Sequence, residues 1–488
     1  MHPGRIHRVT ADRAWPLFDV ATTRAIERAA AAALPPHTLM QRAGLAVARL
    51  ALAIAPHART VWIACGPGNN GGDGMEAALH LQRWGKAVTL TLAGDPAALP
   101  VDAAAAWARC AQAGITASPQ PPSHCDLCID ALLGIGSTRP LQGDMATTAE
   151  RLHASEVPVL AIDVPSGLAA DTGSSLGVRA THTLALLTLK PGLFTASGRD
   201  AAGEVWFDDL GITPSHAPAA WLSGPPPVRP RAHATHKGSY GDVAVLGGAP
   251  GMAGAAVLAA TGALHAGAGR VFLGLLDPSA AATLVAGKPE LMVRDWRTLP
   301  LEDLTAACGC GGGDAVAAVL PEVLRRSGRL VLDADGLNAV AADAALQNAL
   351  HQRSERGAAT VLTPHPLEAA RLLGSTTPHV QADRLAAAQA LADRFGCTVV
   401  LKGSGSVIAA PGETPRINAT GNARLATGGT GDVLAGFTAA LLAAGTGTFA
   451  AACAAVHGHG ALADHWPAHT PLTAGALAAA WSAEAGPG

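Results

Sequence analysis

Residues 60–78 read TVWIACGPGNNGGDGMEAA, and this stretch decides the fold. The apolar run 60–66 suits a buried strand, the glycines from Gly66 to Gly72 suit a tight turn, and the pattern from Asp73 predicts a helix over 73–85. Outward from it the same alternation recurs. Strands are expected at 87–94, 126–134, 157–165 and 182–189, with a helix at 101–113. Two further helices, 19–34 and 37–55, are expected ahead of the first strand, parted by Pro35-Pro36. Strands alternating with helices predict a mostly parallel sheet covered on both faces, with ligands at the carboxyl ends of its strands. Residues 213–238, TPSHAPAAWLSGPPPVRPRAHATHKG, break the pattern and read as a connector. Alternation resumes at 242–251, 269–277, 328–338, 359–366 and 397–412, with a Gly/Ala-rich helix at 253–266 and a final helical pair. A second α/β domain is the simplest account.

At 488 residues the chain exceeds one ordinary core. A net charge of -3 with 15% charged residues gives no electrostatic footprint for nucleic acid or an anionic membrane, so neither is expected as a partner. A small-molecule ligand is expected instead. No apolar run follows the basic residues of 1–18, so a secretory leader is not expected and the compartment is expected to be cytoplasmic. Residues 433–463 hold no Asp, Glu, Lys or Arg, a length that could span a bilayer. The turn AAGTGT (443–448) interrupts them, which predicts two buried helices. The eight cysteines are expected as reduced thiols, and Cys125-x-x-Cys128 has no second pair at zinc-ribbon spacing.

Gly66-x-Gly68-x-x-Gly71 satisfies the dinucleotide fingerprint literally, but alone that is a weak signal. Asp73 then falls at the expected helix start, where its carboxylate would take the positive helix end that a pyrophosphate uses; a plain helix cap is the alternative. Asp130 and Asp163 end two further strands, the latter before the turn formers Pro165, Ser166 and Gly167. Asn70, Asp130 and Ser166 offer hard oxygens suited to an alkali or alkaline-earth cation.

In the second half, ATGGTGDVLAG (426–436) feeds a helix through bare backbone. Amides of Gly429, Thr430 and Gly431 can surround a transferring phosphoryl group while Asp432 takes the proton of the attacking hydroxyl. An N-cap aspartate is the alternative. Lys402 sits in a glycine turn between two strand-like runs, a natural clamp for a nucleotide, and Asn418 and Thr420 precede the same glycine loop. His365 lies between two prolines at a strand end, with Glu368 one helical turn on, whereas His457 and His459 read as packing or polar residues.

The segments TLMQRAG, GPGNNGGDG, DALLGIGSTRP and AIDVPSGL, in this order over 19–212, resemble the epimerase domain of the NAD(P)H-hydrate repair enzymes, a Rossmann-like three-layer fold. The resemblance implies that Asn69, Asn70, Gly71, Gly72, Asp73, Gly134, Ile135, Gly136, Ser137, Thr138, Arg139, Pro140 and Asp163 contact the hydrated nucleotide. It also implies K+ on Asn70, Asp130 and Ser166. Asp163 is the candidate for the proton transfer of epimerisation. The segments HKGSYGDVAVLGG, GMAGAAVLAATGALHAGAGRV, LDADGLN, TPHPLEAARLLG, LKGSGSVI and GNARLATGGTGDVLAG resemble the ADP-dependent dehydratase half of the same family, a ribokinase-like fold. Carried over, this places Ala255, Gly313, His365 and the catalytic Asp432 on the hydrated nucleotide. Lys402, Gly403, Ser404, Gly405, Ser406 and Gly431 fall on ADP, with Mg2+ accompanying the nucleotide. Two departures stand out: GCGGG (309–313) replaces a usual Gly-Pro-Gly-Leu-Gly, and NARL (422–425) replaces Asn-Pro-Gly-Met.

The expectation is therefore an α/β chain of two domains: 1–222 for the epimerase, a proline-rich linker 223–235, and 236–488 for the dehydratase. The substrates would be NADHX and NADPHX, and a homo-oligomer is expected. A ribokinase-like ATP-dependent small-molecule kinase is the chief rival, followed by a non-catalytic first domain and an NAD dehydrogenase.

Overall fold

The computed structural model describes residues 5–136, 141–174, 177–227, 233–281 and 287–481. It divides into two compact units, one running to Ala220 apart from Ala11–Ala14, the other comprising Ala11–Ala14 and the chain from Trp221 onward.

In the first unit the strands lie in the order His7–Arg8, Glu204–Asp208, His182–Leu186, Val159–Ile162, Leu127–Ala131, Thr60–Cys65, Ala87–Leu92. All neighbours pair in parallel except the antiparallel edge strand His7–Arg8. Side chains alternate across the sheet: Val61, Ile63 and Cys65 join the core under helices Thr38–Ile54, Asn69–Arg83 and Val101–Gln112, while Trp62 and Ala64 face helix Asp144–His153. Burial on both faces is why these strands read as near-continuous apolar runs.

Helix Asn69–Arg83 starts four residues before the position expected from the sequence. Its glycines are there for proximity and not for a turn. A Cβ on Gly71 would stand 2.0 Å from the Gly66 carbonyl, and one on Gly72 would stand 2.5 Å from Met40. Asp73 is consequently a full turn inside the helix, and the capping position belongs to Gly68. The helix-cap reading of Asp73 is thereby corrected.

In the second unit the order is Met292–Val293, Arg270–Leu275, Asp242–Gly247, Thr305–Cys308, Arg329–Leu332, Ala359–Leu362, Thr398–Leu401, Val407–Ala409, Arg416–Ile417, then Ala220–Leu222. Pairing is parallel as far as Thr398–Leu401, after which two antiparallel pairings follow. Part of the expected connector is a strand: Trp221 and Leu222 pair in parallel with Arg416 and Ile417. Prolines on either side disguised three residues with strand character.

Val243 and Val245 face one core, Ala244 and Leu246 the other. The charge-free stretch forms two helices, Thr430–Ala443 and Thr448–Asp464. Among the described residues no helix is long and apolar enough to cross a membrane. Helix Ala253–His265 lies so close to Thr430–Ala443 that a Cβ on Gly436 would be 2.0 Å from the Ala259 carbonyl. Small residues let two backbones approach, and this contact fixes the helix that carries Asp432.

Candidate functional site

Two polar sites lie at carboxyl ends of parallel strands, one in each unit. In the first unit a cavity of about 690 Å³ is lined by Asn69, Asn70, Asp73, Gly134, Ile135, Gly136 and Asp163, together with Thr23, Arg24, His37, Asp102 and Lys190. Ser137, Thr138, Arg139 and Pro140 lie outside the described residues. Gly71 and Gly72 are buried in the helix packing described above and do not line this cavity.

Two neighbouring strands end here in the same unusual way. After Val159–Ile162 the chain turns within three residues, Val164 N–H donating to the Ile162 carbonyl at 2.9 Å, with Asp163 at φ +67° between them. After His182–Leu186, Thr188 N–H donates to the Leu186 carbonyl at 2.7 Å with Leu187 at φ +66°. Positive φ at such residues is strained and persists where the surroundings enforce it. Lys190 supplies the enforcement. It is 1% exposed, and its ammonium donates to Asp163 Oδ1, to the Leu186 carbonyl at 2.8 Å and to the Thr188 carbonyl at 2.9 Å. Asp163 Oδ2 and Asn70 Oδ1 both border the space that a Cβ on Gly134 would enter, at 3.4 and 3.1 Å from it. Burial, followed by the Asp163 charge, pushes the Asp73 carboxyl well above its usual range. The cavity thus holds a carboxyl whose ionisation burial disfavours, together with an ion-paired carboxylate.

Asp130 is fully buried. It accepts from Ser166 Oγ at 2.6 Å, from Ser166 N–H at 2.8 Å and from Leu132 N–H at 3.3 Å. Ser166 Oγ also contacts the Leu133 amide and carbonyl, at 2.9 and 3.1 Å. Burial raises the Asp130 carboxyl to about 6 despite these bonds. The buried amide nitrogen of Asn70 has no hydrogen-bond partner. Asp130 and Ser166 Oγ thus bond to each other and to the Leu132–Leu133 backbone, while Asn70 Oδ1 lies beside Gly134; hard oxygens of this kind suit an alkali or alkaline-earth cation.

In the second unit, helix Thr430–Ala443 begins after Gly429 at φ +91°, and Asp432 is its third residue. The cap is the glycine, which removes the N-cap reading of Asp432. Burial, then the Asp333 charge, raises the Asp432 carboxyl to about 6. Asp333 follows strand Arg329–Leu332 and accepts from Lys402 Nζ at 2.7 Å and Thr363 Oγ1 at 2.8 Å. Lys402 Nζ also stands 3.9 Å from Glu368 Oε2 and 3.4 Å from the place of a Cβ on Gly431. Burial works against the lysine's charge, but Asp333 and Glu368 prevail and raise it. Glu368, in turn, is raised by burial to about 7.

His365 caps helix Pro366–Leu373: its Nδ1 accepts the Leu367 and Glu368 amides at 3.1 and 3.2 Å, while its own N–H donates to Glu368 Oε2 at 2.7 Å. Nε2 therefore carries the ring proton. Gly313 N–H donates to Asp335 Oδ2 at 2.9 Å. Ala255 Cβ abuts Gly311, 2.8 Å from where its Cβ would be, which ties Ala255 to the 309–313 loop. Gly403, Ser404, Gly405 and Ser406 form the turn between Thr398–Leu401 and Val407–Ala409, closed by Ser406 Oγ on Gly403 at 3.2 Å. Buried Arg384 holds the Leu401 and Lys402 carbonyls at 3.1 Å each.

Asn418 and Thr420 serve the scaffold: Asn418 Nδ2 donates to Thr420 Oγ1 at 3.1 Å, and Thr420 Oγ1 donates to the His457 carbonyl at 2.8 Å. His459 Nε2 donates to the Thr430 carbonyl at 2.9 Å, and burial lowers its pKa to about 4. Lys190, Asp333, Cys310 and Arg384 were missed in the sequence as candidate site residues. A single lysine ending an apolar run, HTLALLTLK (182–190), was the one available signal for Lys190.

Fold and sites define a chain of two α/β units, each presenting acidic, pKa-shifted groups at strand ends to a small molecule. Residues 36–192 match the family model described as YjeF-related protein N-terminus, and residues 243–482 match that of NAD(P)H-hydrate dehydratase. Over 456 residues the chain is 36% identical to the bifunctional NAD(P)H-hydrate repair enzyme Nnr of Escherichia coli (strain K12), covering 88% of this chain and 85% of that one. It is 35% identical over 510 residues to the bifunctional NAD(P)H-hydrate repair enzyme of Leishmania major, covering 92% and 89%. The chain belongs to the bifunctional NAD(P)H-hydrate repair enzyme family. A solved structure of the ADP/ATP-dependent NAD(P)H-hydrate dehydratase from Bacillus subtilis, co-crystallised with ATP/Mg2+, is 30% identical, with a TM-score of 0.43 over 51% of this chain and 91% of that one.

Proposed function

We propose that the second unit removes water from hydrated NADH and NADPH at the expense of ADP, and that the first interconverts the two configurations at ring carbon six. Asp432, raised to about 6, is ionised at neutral pH yet basic enough to take the proton of the carbon-six hydroxyl. The alkoxide oxygen attacks the terminal phosphorus of ADP, and AMP leaves. Mg2+ arrives on the nucleotide as part of that substrate. The ring nitrogen's lone pair then expels phosphate, and loss of a carbon-five proton restores the dihydronicotinamide. Amides at the start of helix Thr430–Ala443, with Lys402 beside Gly431, face the charge that builds on phosphorus. Ala255, Gly313 and His365 are assigned to the hydrated nucleotide, and Gly403 to Ser406 to the adenine nucleotide.

In the first unit, hydrated nicotinamide is a carbinolamine, so its configuration is lost when the ring opens. Asp163, whose Oδ2 is not the oxygen bound by Lys190, accepts the hydroxyl proton; Asp73, whose neutral form burial favours, donates to the departing ring nitrogen. Reclosure on the opposite face inverts the centre. K+ bound by Asn70, Asp130 and Ser166 would supply fixed positive charge beside Gly134. Asn69 and Gly134 to Gly136 frame the nicotinamide.

The observation that carries the reading is Asp432 itself, a half-buried carboxylate of raised pKa on the third residue of a glycine-capped helix. Its test uses purified protein, separated hydrate isomers and ADP, followed by recovery of reduced-nicotinamide absorbance and by phosphate release. Both isomers are expected to be recovered, one of them only while Asp163 is intact. Asp432→Asn should lower dehydration by about 10³-fold. Full activity in that variant, or a phosphorylated product that accumulates as a kinase would leave it, overturns the reading.

A further inference from the structure

Cys310 occupies the loop position where the resembled pattern carries proline, and its surroundings give its thiol a direction. Strand Thr305–Cys308 is followed by Gly309 at φ +116°, and Gly311 has φ +57°. A Cβ on Gly309 would lie 2.0 Å from the Asp333 carbonyl, and one on Gly247 would lie 2.2 Å from the Cys310 carbonyl. Cys310 O accepts Gly248 N–H at 3.1 Å, and Gly311 O accepts Ala249 N–H at 2.8 Å. The backbone is therefore clamped on both sides of a residue that is 1% exposed. Cys310 Sγ and one carboxylate oxygen each of Asp333 and Asp432 lie within 4.8 Å of one another.

We propose that Cys310 is a positioning residue for dehydration, its thiol donating a hydrogen bond that holds the Asp432 carboxylate toward the substrate hydroxyl. This rests on the reading of Asp432 as the base. A buried thiol keeps its proton, burial and the Asp432 charge pushing the group well up, so at neutral pH it acts only as a donor. The charged groups facing Asp432 are Asp333 and Asp335, which disfavour its ionisation, and Lys402, which favours it; the neighbouring Cys310 thiol adds to the favourable side.

Dehydratase kinetics against pH should be measured for the full-length protein and for Cys310→Ala, Cys310→Ser and Asp432→Asn. In Cys310→Ala the acid limb moves to higher pH and kcat falls about tenfold with KM within twofold, while the hydroxyl of Cys310→Ser restores both. An unchanged limb in Cys310→Ala, or a serine variant as impaired as the alanine one, overturns the proposal. The S–H stretching band assigned by its loss in Cys310→Ser gives a reading independent of turnover. It should lie below the band of buried Cys308 and shift in Asp432→Asn; no shift there overturns the proposal even if Cys310→Ala fails to fold. Full activity in Asp432→Asn instead removes the underlying reading, whereas an inactive Asp432→Asn beside a normal Cys310→Ala removes only the role of the thiol.

Discussion

Asp432 illustrates how a residue suited to chemistry burdens the fold. Its carboxyl is raised from an ordinary 3.8 to about 6, so the native state binds more protons than the unfolded chain between those values. Stability should therefore fall as pH rises through that window. Asp432→Asn, which has nothing to ionise, should match the parent below about pH 4 and exceed it above about pH 6, by up to about 3 kcal/mol at 1.4 kcal/mol per pKa unit. Denaturant unfolding at both ends of the range checks this, and a gap independent of pH would contradict it. Lys190 carries the opposite expectation. Its ion pair with Asp163 is buried, so Lys190→Met leaves a carboxylate without its partner and should cost about 3 kcal/mol as well as epimerisation. Asp163 and Asp432 were legible in the sequence because each stands alone in an apolar or glycine-rich context. The partners that set their behaviour were not, since Lys190 and Asp333 are identified only by what the turn and the neighbouring strand bring beside them.

At the scale of elements, most strands and helices were legible through their alternation; strands Glu204–Asp208 and Thr305–Cys308 were not expected, and two further errors lie where glycine and proline had two meanings. Gly71 and Gly72 suggested a turn but lie within a helix, because the Gly66 carbonyl and Met40 need the space. Proline in 213–238 suggested a connector, yet Trp221 and Leu222 complete a pairing with Arg416 and Ile417. A local pattern cannot report a neighbour that arrives from a distant segment. Close approach also makes an energetic claim. Gly436→Val would drive a side chain into the Ala259 carbonyl and should lower stability by about 2–3 kcal/mol, reducing dehydration in step with the fraction folded. Thermal unfolding of the variant decides it; a transition at the parental temperature would mean the two helices can separate freely.

For the whole molecule, the two proposed activities use separate residues in separate units, linked by a substrate that can diffuse. A mixture of Asp163→Ala and Asp432→Asn proteins should therefore recover NADH from both isomers, although the Asp432→Asn protein dehydrates neither and the Asp163→Ala protein only one. Failure of the mixture would mean the hydrate is handed over within one chain. The pairing of helix Ala253–His265 with helix Thr430–Ala443 has a consequence during synthesis. The earlier helix emerges from the ribosome long before its partner exists, so its alanine-rich surface stays uncovered while the intervening strands are translated. The first unit has every segment it needs by then. Nascent chains halted before Thr430 should accordingly hold a folded amino-terminal half beside a carboxyl-terminal half that still depends on chaperones.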